Sequence, residues 1–224
     1  MYVYAFLESS ATALDLPEGL VGSIQVVAAE TLAAVVETAI QPDMLQEGDD
    51  RFQLQAILSH DRVLRDVFQQ ADVLPVPFGT FLVSQEALVN HLTMHQANYL
   101  EKLHQVKGKA EYTIKAEPIA FAMDEPEDKP ARGKEYFLAK KRKFQQQEDH
   151  RQQQNAQIDQ LVDAIAQAGY PMVHSDPKDG IERIHLLCDR TAADALVDQF
   201  TTWQNDSTKW TLLLGEALPP YHFV

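Results

Sequence analysis

Positions 2–7 (Tyr-Val-Tyr-Ala-Phe-Leu) mix aromatic, β-branched and small apolar residues without a polar break, which predicts a first, buried strand. A Leu-Pro-Glu-Gly loop follows at 16–19. Residues 23–29 read as a second strand. Residues 32–40 read as a third strand or a short helix, because an Ala-rich run fits both periods. Gln41-Pro42-Asp43 breaks that run. Asp49 and Asp50 precede a segment of helical period over 51–70, with Ile57, Leu64, Phe68 and Ala71 on one stripe. Residues 73–83 read as a strand containing Pro75 and Pro77. Proline cannot donate to the ladder, so an edge strand or a bulge is expected there. Ser84 is a good N-cap for a helix over about 85–106, which Gly108 ends. Leu88, Leu92, Tyr99, Leu103 and Val106 share one face of it.

The pattern changes after Gly108. Tyr112, Ile114 and Ala116 alternate with Thr113, Lys115 and Glu117, as in a half-buried strand. Residues 124–135 form a charged segment with two prolines, expected as a loop. From 135 to 168 there is no proline or glycine, so a long helix is predicted. Its ends have apolar faces: Tyr136, Phe137 and Phe144, then Ile158, Leu161, Val162 and Ile165. Its middle, 145–157, has only Ala156 as an apolar residue, so a solvent-exposed helical arm or bent helix pair is expected. Short strands are predicted at 172–174 and 181–188, separated by an Asp-Pro-Lys-Asp-Gly turn. A capping box at 191–194 opens a helix with Ala193, Leu196, Phe200 and Trp203 on its stripe, and a last strand covers 209–215.

These elements predict an α+β chain of two domains. The first spans 1–108. The second spans 109–224 and reads β-α-β-β-α-β, the ferredoxin-like order, with a helical insertion over about 134–168 and a tail at 215–224. No repeat of fixed period occurs.

Charge narrows the function. Lys plus Arg is 19 and Asp plus Glu is 33, a net charge of −14. Phosphate neutralisation and adhesion to anionic lipid both need a basic surface, so neither a nucleic-acid nor a membrane partner is expected. Residues 1–108 carry 5 basic and 14 acidic side chains, and no Lys or Arg precedes Arg51. Such a surface keeps the chain soluble and repels wrong partners. The one basic cluster, Lys140-Lys141-Arg142-Lys143, adjoins the Gln-rich stretch and reads as a solvated helix face or a partner-binding arm.

The first residues lack a basic stretch, so no signal peptide is expected. The most apolar run, 20–40, is interrupted by Gln25, Glu30 and Glu37 and does not read as a membrane span. The single cysteine, Cys188, allows no internal disulfide and fits a reducing, cytosolic compartment. It reads as a small buried hydrophobe. There is no phosphate-binding glycine loop and no nucleophile elbow. His91 and His95 stand i, i+4 on a predicted helix and could share a ligand face. Leu92 replaces the Glu of the zinc-protease pattern, and His95 falls on the apolar stripe, which suits a hydrogen-bonded core histidine better. No catalytic, cofactor or metal residue is therefore assigned.

Two segments fix an unusual backbone path: Leu74-Pro75-Val76-Pro77-Phe78-Gly79-Thr80, and an apolar tail ending in Pro219-Pro220-Tyr221-His222-Phe223-Val224. With the Tyr2-Val3-Tyr4 start, His60 ahead of the first segment, and Gly108-Lys109-Ala110-Glu111, they resemble the gas vesicle protein F/L family over nearly the whole chain. Pro77 stands where many members carry a basic residue, and Glu216-Ala217-Leu218 where a Pro-Trp pair is common. The resemblance implies a non-enzymatic accessory or minor structural protein of gas vesicle assembly, found with the vesicle inside the cell, which agrees with the missing catalytic motifs. It implies binding to the small, very hydrophobic shell protein, and to further gas vesicle accessory proteins, so as to limit aggregation during nucleation. Leu74, Pro75, Phe78, Gly79 and Thr80 are the candidate partner-binding residues, and strand addition at the proline-interrupted edge is one expected mode. Two alternatives stay open: a ligand-binding or enzymatic domain on the ferredoxin-like half, and an oligomeric scaffold using the helical arm.

Overall fold

The computed structural model describes residues 1–10, 13–121 and 134–224. The charged segment expected at 124–135 therefore lies, up to 133, outside the described residues. The chain divides into two compact units. One comprises Met1–Glu111, Leu187–Arg190 and Ala217–Val224; the other comprises Tyr112–Leu186 and Thr191–Glu216. The expected break at Gly108 falls three residues early, and the last eight residues belong to the first unit rather than the second. Backbone hydrogen bonds draw the tail there: Glu111 N–H donates to Leu218 O (2.9 Å), and Leu218 N–H to Glu111 O (2.8 Å).

The first unit is built on a sheet ordered β2-β3-β1-β4, formed by β1 (Tyr2–Glu8), β2 (Ile24–Ala29), β3 (Leu32–Glu37) and β4 (Leu74–Pro75). Residues 32–37 thus take the strand alternative, since both faces of β3 are covered and all six residues are buried. β1 carries a bulge. Val3 opposes Val36 and Ala5 opposes Val35, so Tyr4 is the extra residue. The bulge resets the alternation. Val3 and Phe6 join one core with Val36, Leu88, Leu92, Leu103 and Val106. Tyr2 and Tyr4 instead face α2 (Asp50–Phe68), where both rings meet His60.

Three elements of this unit differ from the sequence reading. The expected strand over 73–83 is only the two residues of β4 plus an isolated bridge between Tyr2 and Phe81, because Pro77-Phe78-Gly79 loops away from β1. The expected helix over 85–106 is two helices, α3 (Gln85–Met94) and α4 (Gln96–Val106), interrupted at His95. Its apolar stripe is nonetheless buried on both sides of the break. In α2 the buried stripe is Ala56, His60, Val63, Leu64, Val67 and Phe68, while Ile57 is exposed and Ala71 lies beyond the helix end. The short α1 (Pro42–Glu47) precedes α2.

The second sheet, ordered β6-β7-β5-β8, consists of β5 (Lys109–Pro118), β6 (Met172–Lys178), β7 (Ile181–Asp189) and β8 (Trp210–Leu214). With α5 (Lys134–Gln167) and α6 (Ala193–Asp206) the element order is β-α-β-β-α-β, the ferredoxin-like arrangement anticipated from the sequence. The capping box at 191–194 does not form. Residues 190–192 make a 3-10 turn, and Ala192 occupies the cap with no side-chain bond.

The middle of α5 is also not a free arm. His150 and Gln154 hydrogen-bond Ile119 O, Gln157 bonds Thr208 Oγ1 and Lys209 N–H, and Trp210 Nε1–H donates to Gln154 O (2.9 Å). These residues continue the Ile158, Leu161 and Ile165 stripe with polar side chains, so hydrogen bonds replace burial as the docking force.

Candidate partner-binding site

The segment 74–82 runs beside β1 at the sheet edge. Val76 N–H donates to Tyr4 O (2.9 Å), Val3 N–H to Thr80 O (3.1 Å) and Leu82 N–H to Met1 O (2.9 Å). Val76 therefore points its backbone toward β1, and by alternation Pro75 and Pro77 point theirs outward. Neither proline has an N–H, and Thr80 Oγ1 donates to the Pro77 carbonyl (2.7 Å). At these positions the edge offers an incoming strand no donor and one free carbonyl. That disfavours strand addition at this stretch and fits a blunted edge.

The five candidate residues divide by exposure. Leu74 is 3% exposed and belongs to the core, so it supports the segment rather than presenting a surface. Pro75 is half-buried against Ala5. Phe78 is 41% exposed. Gly79 follows with φ +83°, a conformation that L side chains rarely adopt, so glycine is required to turn the chain just after the exposed ring.

Phe78 is exposed yet held from behind. Its ring meets Tyr2 (6.4 Å between centroids) and His60 (5.7 Å), both edge-on, and Phe81 meets Tyr2 at 5.2 Å. The pedestal is polar inside. Burial pushes the Tyr2 phenol up to about 12, so it stays protonated and donates to His60 Nδ1 (2.8 Å). His60 Nε2–H donates to Val76 O (3.1 Å), which fixes the tautomer. Burial lowers the His60 pKa to about 4, only partly opposed by the Val76 carbonyl and Asp61, so the ring is neutral.

Beside it, the buried Glu37 carboxylate accepts from Tyr4 Oη (2.6 Å) and from the N–H groups of Leu20 (2.9 Å), Val21 (2.8 Å) and Gly22. Three successive amides closing on one carboxylate form an anion nest. A Cβ at Gly19 would collide with the Glu37 carboxylate, which accounts for the glycine of the 16–19 loop. Burial and the Glu37 bond push the Tyr4 phenol well above its usual range. Nothing in the sequence singled out Glu37. A lone acid in an apolar strand facing a glycine-rich loop is the signal that could have found it.

Motifs far apart in sequence meet in this unit. Glu111 binds His222 twice, from the backbone N–H to Oε2 (2.8 Å) and between Nδ1 and Oε1 (2.7 Å). Tyr221 Oη donates to Asp61 (2.7 Å), the neighbour of His60, and Asp61 also accepts from Arg65 Nε (2.7 Å). Phe223 and Val224 pack against the core. The tail is thus tied down, as its apolar ending requires.

The other candidate residues are His91, His95 and Cys188. His91 Nε2 is engaged by Tyr99 Oη (2.8 Å); His95 is exposed, and its ring meets those of His91 (4.6 Å between centroids) and Tyr99 (5.9 Å). Among the described residues no third His, Cys, Asp or Glu completes a ligand group with this pair. Cys188 is buried, and burial with the nearby Asp189 pushes its thiol up, away from reactivity. Among the described residues no helix is long and apolar enough to cross a membrane.

Comparison with known proteins agrees with this architecture. The family model described as "Gas vesicle synthesis protein GvpL/GvpF" matches residues 1–224. A gas vesicle protein F from Streptomyces sp. (strain CB03234) is 27% identical over 241 positions, covering 100% of this chain and 98% of the relative. The crystal structure of GvpF from Anabaena sp. PCC7120 superposes with a TM-score of 0.76 at 17% identity, over 99% of this chain and 94% of that one. GvpF from Microcystis aeruginosa gives 0.72 at 14% identity, over 99% and 97%.

Proposed function

The chain belongs to the GvpL/GvpF family of gas vesicle synthesis proteins, and from that premise we propose that it serves gas vesicle assembly by holding the small, very hydrophobic shell protein and limiting its aggregation during nucleation. The observation that carries this reading is Phe78, an exposed ring on a buried Tyr2–His60 pedestal at a sheet edge. A fixed aromatic loses little entropy on contact, so its apolar area converts to affinity efficiently.

The missing outward donors at Pro75 and Pro77 matter equally. An edge with free N–H groups would template strand pairing and promote the aggregation it is meant to limit. Here an apolar side chain can dock on Phe78 without β-pairing. The acidic surface of the first unit disfavours association with other acidic proteins while the contact forms. Further gas vesicle accessory proteins are partners of the same kind.

The test is co-expression of the full chain with the shell protein, followed by co-purification at moderate salt. A retained complex is expected for the native chain, and loss of it for Phe78→Asp with an unchanged circular dichroism spectrum. Undiminished retention by a folded Phe78→Asp protein would remove this site. No complex with the native chain, and shell protein aggregating regardless, would remove the shell-binding reading itself.

A further inference from the structure

The first eleven residues of α5 carry Tyr136 (55% exposed), Phe137 (75%), Leu138 (47%) and Phe144 (70%). Soluble proteins seldom leave that much apolar surface in one stretch without a use for it. Phe137 and Phe144 are seven residues apart, and Lys140 and Lys141 fall between them on the same helical face. Arg142, Lys143 and Lys134 surround it. This is the one concentrated basic region in a chain of net charge −14.

The opposite kind of surface lies at the start of α2. Leu54 (58% exposed), Ile57 (48%) and Leu58 (61%) face solvent. Leu54 and Leu58 line an open groove of about 590 Å³ against the 18–20 turn. Just before them stand Asp43, Glu47, Asp49 and Asp50, all exposed. Arg51 and Arg62 also line the groove, but Arg62 is committed to Asp66 (3.7 Å) and to the Glu18 carbonyl.

We infer that these two faces bind each other between copies of this chain, the basic aromatic start of α5 of one copy seating on the acidic apolar start of α2 of the next. The spacing agrees. With the helices parallel and Phe144 over Leu54 and Leu58, Lys140 and Lys141 lie one turn back, the same step that separates Leu54 from Asp50. Both faces are exposed. A lipid surface is the poorer occupant, because the −14 chain as a whole is repelled by anionic headgroups. The two surfaces differ, so the contact is heterologous and propagates head to tail rather than closing as a two-fold dimer. This inference stands apart from shell-protein binding, which uses neither face.

Sedimentation velocity of the full chain tests it. Weight-average mass should rise with concentration at ~0.05 M salt and fall back toward the monomer at ~0.5 M, since the Debye length shrinks severalfold. Phe137→Ser with Phe144→Ser should weaken association at least ~10-fold, and so should Leu54→Ser with Leu58→Ser, each with a native circular dichroism spectrum. Mixing the two variants leaves one intact face on each, so a dimer that cannot grow should form. A chain that stays monomeric at every concentration overturns the inference. So does association that survives either double variant, or a mixture that stays monomeric. Flotation of the monomeric chain with phosphatidylserine vesicles, lost in the Phe137/Phe144 variant, would overturn it in favour of a lipid surface.

Discussion

His60 offers a quantitative test of the pedestal under Phe78. The imidazole is 7% exposed, lies between Tyr2 and the Val76 carbonyl, and is held neutral by burial, its pKa lowered from 6.5 to about 4. The unfolded chain takes up a proton near pH 6.5, and the folded chain does not until about pH 4. Between those values the unfolded state binds more protons, so acidification destabilises the fold; below the folded pKa the contribution stays constant. A gap of about 2.5 units corresponds to about 3 kcal/mol in full, of which about 2 kcal/mol has been lost by about pH 4.5. Burial and the neighbouring His95 also lower the His91 pKa, which adds its own pH dependence. The comparison is therefore between the native protein and His60→Gln, whose amide can donate to Val76 O and accept from Tyr2. Urea unfolding followed by far-UV circular dichroism, from pH 7 to about pH 4.5, gives stability for both. The native protein should lose about 2 kcal/mol more than the variant over that range. Parallel curves, agreeing within about 0.5 kcal/mol, would refute a neutral, desolvated His60.

Three further expectations follow from other contacts. Glu37→Gln puts an amide N–H₂ among the donors of Tyr4, Leu20, Val21 and Gly22, and should cost about 3–5 kcal/mol in urea unfolding, because a buried charge-assisted set is broken on one side. Tyr221→Phe removes one hydrogen bond to Asp61 and should cost about 1.5–3 kcal/mol; faster amide exchange in α2 would report it. Cys188 should resist a thiol-alkylating reagent at neutral pH in the folded chain and react at once in denaturant, since it is buried and its pKa is raised; equal rates would contradict its burial.

Much of this architecture was legible in the sequence because it follows from periods of 2 and 3.6. The strand at 2–7, the helix through 51–70, the stripe Leu88, Leu92, Leu103 and Val106, and the β-α-β-β-α-β order after Gly108 are patterns of side-chain spacing, and burying an apolar face makes them obligatory. The unusual backbone of the segment 74–80 was legible because prolines fix φ and a glycine admits the left-handed turn.

What the spacing could not carry is long-range. One extra residue at Tyr4 sends Phe6 to the α3–α4 core and leaves Tyr2 and Tyr4 with His60, although the alternation by itself puts all three on one face. A bulge is decided by the partner strand's register, which no local pattern contains. The length of the strand at 73–83 was misjudged because only the pairing with β1 shows where the ladder stops. The polar middle of α5 looked unattached because hydrogen-bond partners at Ile119, Thr208 and Lys209 leave no apolar period to read. The tail's place beside Glu111 was not legible because Glu111 and His222 are joined across more than a hundred residues by a carboxylate and an imidazole, and chain order holds no record of that pairing. Sequence determined which residues needed burial or an unusual backbone; the tertiary structure alone decided which of them meet, because those contacts form only once both partners are held in place.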